Sequence, residues 1–162
     1  MISDPNAFDM DAMLCDSAVA VDGKLYLQGA GWENLNTAAL PFRVPRIGIA
    51  MVLRVPYTQT NKNHSLSIKM IGEDSDKPIP LGLPVPDGQG GMHAPAVVNA
   101  QFAVGRPPTL MRGESQAISL ALNLDQMVFT EAGSYSFHFE IAGEEIKRLH
   151  FRVLTPTGVN VM

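Results

Sequence analysis

The chain has 162 residues, 46% of them apolar and 17% charged, with a formal net charge of −4. That is the length of one ordinary domain with enough apolar content for a core, which excludes an intrinsically disordered chain. The acidic balance argues against a partner held by phosphate neutralisation, so no nucleic acid is expected. No apolar run reaches the length of a membrane span, so no membrane is expected either. The single cysteine, Cys15, rules out an internal disulfide and suits a reducing, cytoplasmic setting. The N-terminal stretch to Leu14 carries Asp4, Asp9 and Asp11 without Lys or Arg and does not read as a secretory signal.

In chain order, residues 1–11 read as an N-terminal extension in which Asp9 and Asp11 decorate a frayed end. Period-two alternation then predicts strands near residues 12–21, 24–31, 46–55, 65–71, 97–104, 116–124, 134–142 and 146–154. Ile47, Ile49, Met51, Leu53 and Val55 form one apolar row; Ile118, Leu120, Leu122 and Leu124 form another. No window offers a helix of three turns. The expected fold class is all-β, an immunoglobulin-like antiparallel β-sandwich of about eight strands over residues 12–155, with a tail at 156–162.

Asp22-Gly23 between Ala18–Val21 and Lys24–Leu27 predicts a two-residue hairpin, because both turn residues need positive φ. That turn pairs Val21 with Lys24 and Ala18 with Leu27, and sets Asp16 across from Gly29 on the face of Leu14, Ala18 and Ala20. A carboxylate there must find hydrogen bonds, with backbone N–H groups near Gly29 to Trp32 the expected donors. Asp16 is therefore either a loop brace or an acid or base with a shifted pKa. The hairpin is apolar on both faces, so something must cover the second: the Pro/Gly-rich segment, the N-terminal residues, or another subunit. Val19, Val21 and Tyr26 are the candidate interface residues.

Residues 72–95 hold five prolines and five glycines, so no central strand fits there and the segment reads as a long functional or mobile loop. From Asp125 the sequence DQMVFTEAGSYSF resembles the tyrosine corner of immunoglobulin-like sandwiches, with Tyr135 bonding back across the turn and Phe137 in the core. A second hairpin around Gly143-Glu144-Glu145 sets Phe139 opposite Leu149 and His138 opposite His150. A longer loop would set His138 opposite Arg152. This face is expected to be solvated, without a metal, because zinc wants more ligands than Glu140 and two histidines provide.

The stretch LCDSAVAVDGKLYLQGAGW, residues 14–32, resembles the opening of an uncharacterised family of small bacterial proteins. Val55-Pro56-Tyr57, Gly133-x-Tyr135 and Phe151-Arg152-Val153 extend that resemblance. It implies a fold and a bacterial source, and no reaction.

Searches for catalytic machinery fail. There is no Gly-x-Ser-x-Gly elbow, Cys15 has no basic neighbour in sequence, and Gly29-Ala30-Gly31 does not open a helix. Asp9, Asp11, Asp16 and Asp22 lack the spacing of a calcium loop. No catalytic residue, metal or cofactor is expected. Trp32, Phe42 and Tyr57 could form a ligand platform, although aromatic residues at strand ends usually plug the core. The expected function is a non-enzymatic module acting through a protein partner or self-association. The alternative is a small-ligand or carbohydrate-binding sandwich using Trp32 and the 72–95 loop, and a third is a hydrolase built on Asp16 and a histidine.

Overall fold

The alternating rows become two facing sheets in the computed structural model, which describes residues 4–74, 76–82 and 85–156. Thirteen strands occur among them: β1 (Asp9–Cys15), β2 (Ser17–Val21), β3 (Lys24–Gln28), β4 (Asn34–Asn36), β5 (Phe42–Pro56), β6 (Asn63–Gly72), β7 (Lys77–Ile79), β8 (Val85–Pro86), β9 (Met92–His93), β10 (Val97–Ala103), β11 (Ser115–Phe129), β12 (Gly133–Ile141) and β13 (Glu144–Leu154). One sheet has the order β1-β5-β11, the other β10-β6-β12-β13-β4, and β2–β3 and β8–β9 are separate hairpins. The chain is all-β. A short 3-10 segment, Tyr57–Gln59, follows β5.

The core lies between the two larger sheets. From β5 come Ile47, Ile49, Met51, Leu53 and Val55; from the facing sheet come Leu66, Ile68, Met70, Phe137, Phe139, Phe151 and Val153, all essentially buried. Each such side chain contributes about 1.5–3 kcal/mol when removed from water. Phe151 stacks on Tyr135 and Phe137 at 5.6 and 5.5 Å and meets Phe129 edge-on at 5.8 Å. Tyr135 Oη donates to the Glu131 carbonyl at 2.5 Å, the hydrogen bond expected of a tyrosine corner.

β11 runs past the expected end at residue 124 in unbroken register with β5. Asp125 pairs with Arg46 and Met127 with Val44, which sets Gln126, at φ 60°, across from Pro45. The alternation changes phase on both strands at this point, so Leu124, Met127 and Phe129 on β11 and Val44 and Ile47 on β5 all reach the core.

Several expectations are corrected. β1 starts at Asp9 and pairs along β5, so Asp9 and Asp11 are not a frayed extension: both carboxylates bind the Arg54 guanidinium from the neighbouring strand. The expected strand 12–21 is two strands, because the chain leaves the first sheet at Asp16. The 72–95 segment is not a structureless loop. β7 pairs with the end of β6 just past the point where β10 begins, carrying Pro78 at a sheet edge where its missing N–H costs nothing. Leu81 enters the core and donates its N–H to the Pro95 carbonyl at 2.8 Å.

The β12–β13 register also differs from both expected pairings. The turn is Ala142-Gly143, at φ 53° and 80°, followed by a bulge at Phe139/Glu140. His138 therefore faces Arg148, and His150 faces Ser136. The tail beyond residue 156 lies outside the described residues.

Candidate functional site

The β2–β3 hairpin lies across the outside of the β1-β5-β11 sheet, and local chemistry fixes it there. Asp22 and Gly23 take φ 52° and 72°, so Val21 pairs with Lys24 and Ala18 with Leu27, as the turn residues require. Where β1 becomes β2, Cys15 is buried against Gly48. A Cβ on Gly48 would lie 2.8 Å from Cys15 Sγ and 3.1 Å from the Cys15 carbonyl, so only glycine admits this approach. Cys15, Ala18 and Ala50 form a small second core, with Leu25 and Ala121 packed on it. Burial holds the Cys15 thiol above its ordinary pKa, with the Asp16 charge adding to the effect. The thiol is therefore a packing group rather than a nucleophile.

Asn123 on β11 makes the second attachment, with its side-chain amide bonded to both backbone groups of Ala18. At the far end, Ser119 Oγ donates to the Gly23 carbonyl at 3.2 Å. One face of the hairpin is thus spent on the sheet. On the other, Val19 is 51% exposed, Val21 48% and Tyr26 56%. Val19 and Tyr26 are a cross-strand pair, so the exposed side chains are contiguous. An open depression of about 570 Å³ runs beside Val19, Leu25, Tyr26 and Leu27.

Asp16 is exposed rather than buried, a correction to the expectation of a braced carboxylate among apolar neighbours. The residue sits at the junction between sheet and hairpin, so it shares a face with neither Leu14 nor Ala18. Its carboxylate packs over Gly29, whose absent Cβ would otherwise collide with it. The bracing is done by backbone groups: Asp16 N–H donates to the Gln28 carbonyl at 2.9 Å and Gly31 N–H to the Leu14 carbonyl at 3.0 Å.

The three aromatic candidates do not converge. Trp32 is half-buried and meets Phe151 edge-on at 6.0 Å, with its indole Nε1 buried. Phe42 is half-buried at the start of β5, opposite Phe129. Tyr57 follows the end of β5, fifteen residues away, or roughly 50 Å at strand rise. Trp32 and Phe42 therefore cap one end of the sandwich and Tyr57 stands at the other.

A polar cleft of about 370 Å³ lies where the segment after Trp32 meets the start of the 72–95 segment. Glu33, Asn34, Glu73, Ser134, His150 and Arg152 line it. Parallel pairing of β4 with β13 brings Asn34 beside Arg152, and the Glu73 carboxylate is bonded to His150 Nδ1. Sequence reading missed this cleft, since a three-residue parallel strand leaves no periodic signal. One strand over, the expected solvated His138 is only 13% exposed: Nδ1 sits 3.0 Å from Glu145 and Nε2 is 2.8 Å from Ser136 Oγ. Among the described residues, no group of three or more His, Cys, Asp or Glu side chains could hold a metal ion. Among the same residues, no helix is long and apolar enough to cross a membrane.

A search of curated proteins finds no match. Among solved structures, the chain is similar to the Pseudomonas fluorescens alkylpurine DNA glycosylase AlkC bound to DNA containing an abasic site analog. The identity is 13% and the TM-score 0.43, and the match covers 90% of this chain and 30% of the length of that one. That neighbour is bound to DNA, and the expectation of no nucleic-acid partner is withdrawn. A whole-chain charge does not report how basic side chains are distributed over a surface. Residues 10–154 match the Family of unknown function (DUF6941), and the chain belongs to that family.

Proposed function

We propose that the chain is a non-catalytic module that works through protein–protein contacts, self-associating by the outer face of the β2–β3 hairpin. The observation that carries this reading is the exposure of Val19, Val21 and Tyr26 on a hairpin whose opposite face is fixed to the sheet. Contiguous apolar surface of this kind on a soluble domain marks an interaction site. Among the described residues β3 pairs only with β2, so its other edge is open. A two-fold pairing of two β3 edges centred on Tyr26 sets Leu25 against Leu27 and Lys24 against Gln28. No like charges meet in that arrangement, so the edge is complementary to a second copy of itself.

Sedimentation equilibrium tests the reading. The expected result is a dimer or larger species that falls to monomer in Tyr26→Lys and Val19→Lys. A wild-type monomer at the highest soluble concentration would overturn it. The buried Cys15 suits the cytoplasmic setting proposed for a bacterial protein, and the Tyr135–Glu131 corner supports an immunoglobulin-like kinship.

A second reading has its own observation, the cleft of Glu33, Asn34, Glu73, His150 and Arg152. Its carboxylates, amide and guanidinium suit the hydroxyls of a carbohydrate or another small polar ligand. A ligand of the folded state raises the melting temperature. A sugar panel that shifts the wild type but not Glu73→Gln would favour this reading, and no shift across the panel would dismiss it.

A further inference from the structure

At the end of the sandwich away from both surfaces, we propose a binding site for a small organic oxyanion, a carboxylate or phosphate carried on an apolar group. A cleft of about 380 Å³ opens there, lined by Asn6, Tyr57, Thr58, Arg106, Arg112 and Gly113, with Pro5 at its wall. That volume lies in the range of small-molecule sites.

Arg106 is held as few surface arginines are. Its guanidinium carbon stands 3.9 Å from the centre of the Tyr57 ring. Its Nε donates to Thr60 Oγ1 at 2.7 Å and its Nη2 to the Tyr57 carbonyl at 2.9 Å. Thr60 is 1% exposed and donates its own hydroxyl to that carbonyl at 2.6 Å, so the anchor is rigid. Both acceptors are neutral. The fork is thus oriented while its charge stays uncompensated, and three of its five N–H donors remain for a ligand.

The other lining groups are placed by equally local means. Tyr57 N–H donates to the Glu114 carbonyl at 3.0 Å, which brings the 111–114 turn to the end of β5. In that turn the Glu114 carboxylate accepts the Met111 N–H at 2.8 Å, and Arg112 and Gly113 form the tip. Thr58 Oγ1 donates to Asn6 Oδ1 at 3.3 Å, leaving the Asn6 amide N–H groups as donors. The Asp4 carboxylate accepts the Asn6 backbone N–H at 2.9 Å. Among the described residues no carboxylate lines the cleft, and neither Arg106 nor Arg112 is ion-paired. In a chain of net charge −4, two unpaired guanidiniums facing one partly apolar cleft suit a ligand with an anionic head and an apolar body.

The test uses phenyl phosphate and benzoate as probes, with phenol as the neutral counterpart, followed by titration calorimetry and amide chemical shifts. The expected result is saturable one-to-one binding of at least one oxyanion, with shifts centred on Asn6, Tyr57 and Gly113. Whichever binds tighter identifies the head group. Arg112→Ala and Arg106→Lys are expected to weaken binding about tenfold or more, whereas Arg43→Ala, an equal loss of charge on β5 far from the cleft, leaves it unchanged. Equal weakening by Arg112→Ala and Arg43→Ala, equal affinity for phenol, or no saturable response to either oxyanion would overturn the proposal.

Discussion

The side-chain amide of Asn123 binds Ala18 as a neighbouring strand would, accepting its N–H at 3.0 Å and donating to its carbonyl at 2.8 Å. Two residues 105 positions apart thereby hold the β2–β3 hairpin on the outside of the sheet. Asn123→Asp keeps the shape but sets a carboxylate oxygen against the Ala18 carbonyl. Asn123→Ala leaves both backbone groups without this partner in a part-buried place. Each change is expected to cost about 1–3 kcal/mol. Amide exchange should rise across Ser17–Gln28 while β5 and β6 stay protected, and unchanged exchange in the hairpin would refute the anchor.

Gly48 and Cys15 are the packing counterpart of that anchor. Gly48→Ala drives a methyl against Cys15 Sγ and the Cys15 carbonyl, and overpacking of this kind costs about 1–3 kcal/mol. Cys15→Ala removes the sulfur but not the carbonyl, so the double variant should recover only part of the loss in a urea-unfolding cycle. Full recovery would mean that the backbone contact is immaterial.

The hairpin was legible because its determinants are adjacent: Asp22-Gly23 sets the turn, and the turn sets every pair from Val21–Lys24 to Ala18–Leu27. The β12–β13 pairing was not, because Ala142 adopts a positive φ that alanine rarely signals and a bulge then absorbs one residue. Asp16 was misplaced for a related reason. Alternation continues through it while the chain changes sheets, and period two carries no mark of which sheet a strand joins. The exposed Val19, Val21 and Tyr26 row was readable as apolar, but its exposure depends on Asn123, far along the chain. Arg106 over Tyr57 is likewise a contact across 49 positions with no local pattern to announce it.

Tyr135 should be worth more than its ring. Tyr135→Phe keeps the stack on Phe151 and removes the hydrogen bond to Glu131 that ties the β11–β12 corner. A loss of about 1–2 kcal/mol is expected by urea unfolding, with the native fold retained. Stability within a few tenths of the wild type would show that water replaces the phenol at no cost.

His138 should make stability fall on mild acidification. Its pKa is held below the ordinary 6.5 by burial first and by the Arg148 charge second, with Lys69 adding, against opposing pulls from Glu145 and Glu140. The neutral ring with hydrogen on Nδ1 satisfies both neighbours, donating to Glu145 and accepting the Ser136 hydroxyl at Nε2. Protonation removes that acceptor and adds a charge beside two cations. The folded state therefore takes up its proton at lower pH than the unfolded chain, which binds more protons below about 6.5. Stability contributed by this residue is present above that value and is lost as pH falls through it towards the lower folded pKa. The Glu145 carboxyl, lowered chiefly by its hydrogen bond from Arg148, loses its contribution only at more acid pH, so the two windows separate. Urea midpoints measured between about pH 7.5 and 5.5 should fall in the wild type and fall less steeply in His138→Gln. A wild-type midpoint that rises on acidification would mean that the Glu145 charge outweighs burial and that the imidazole is protonated in the folded protein.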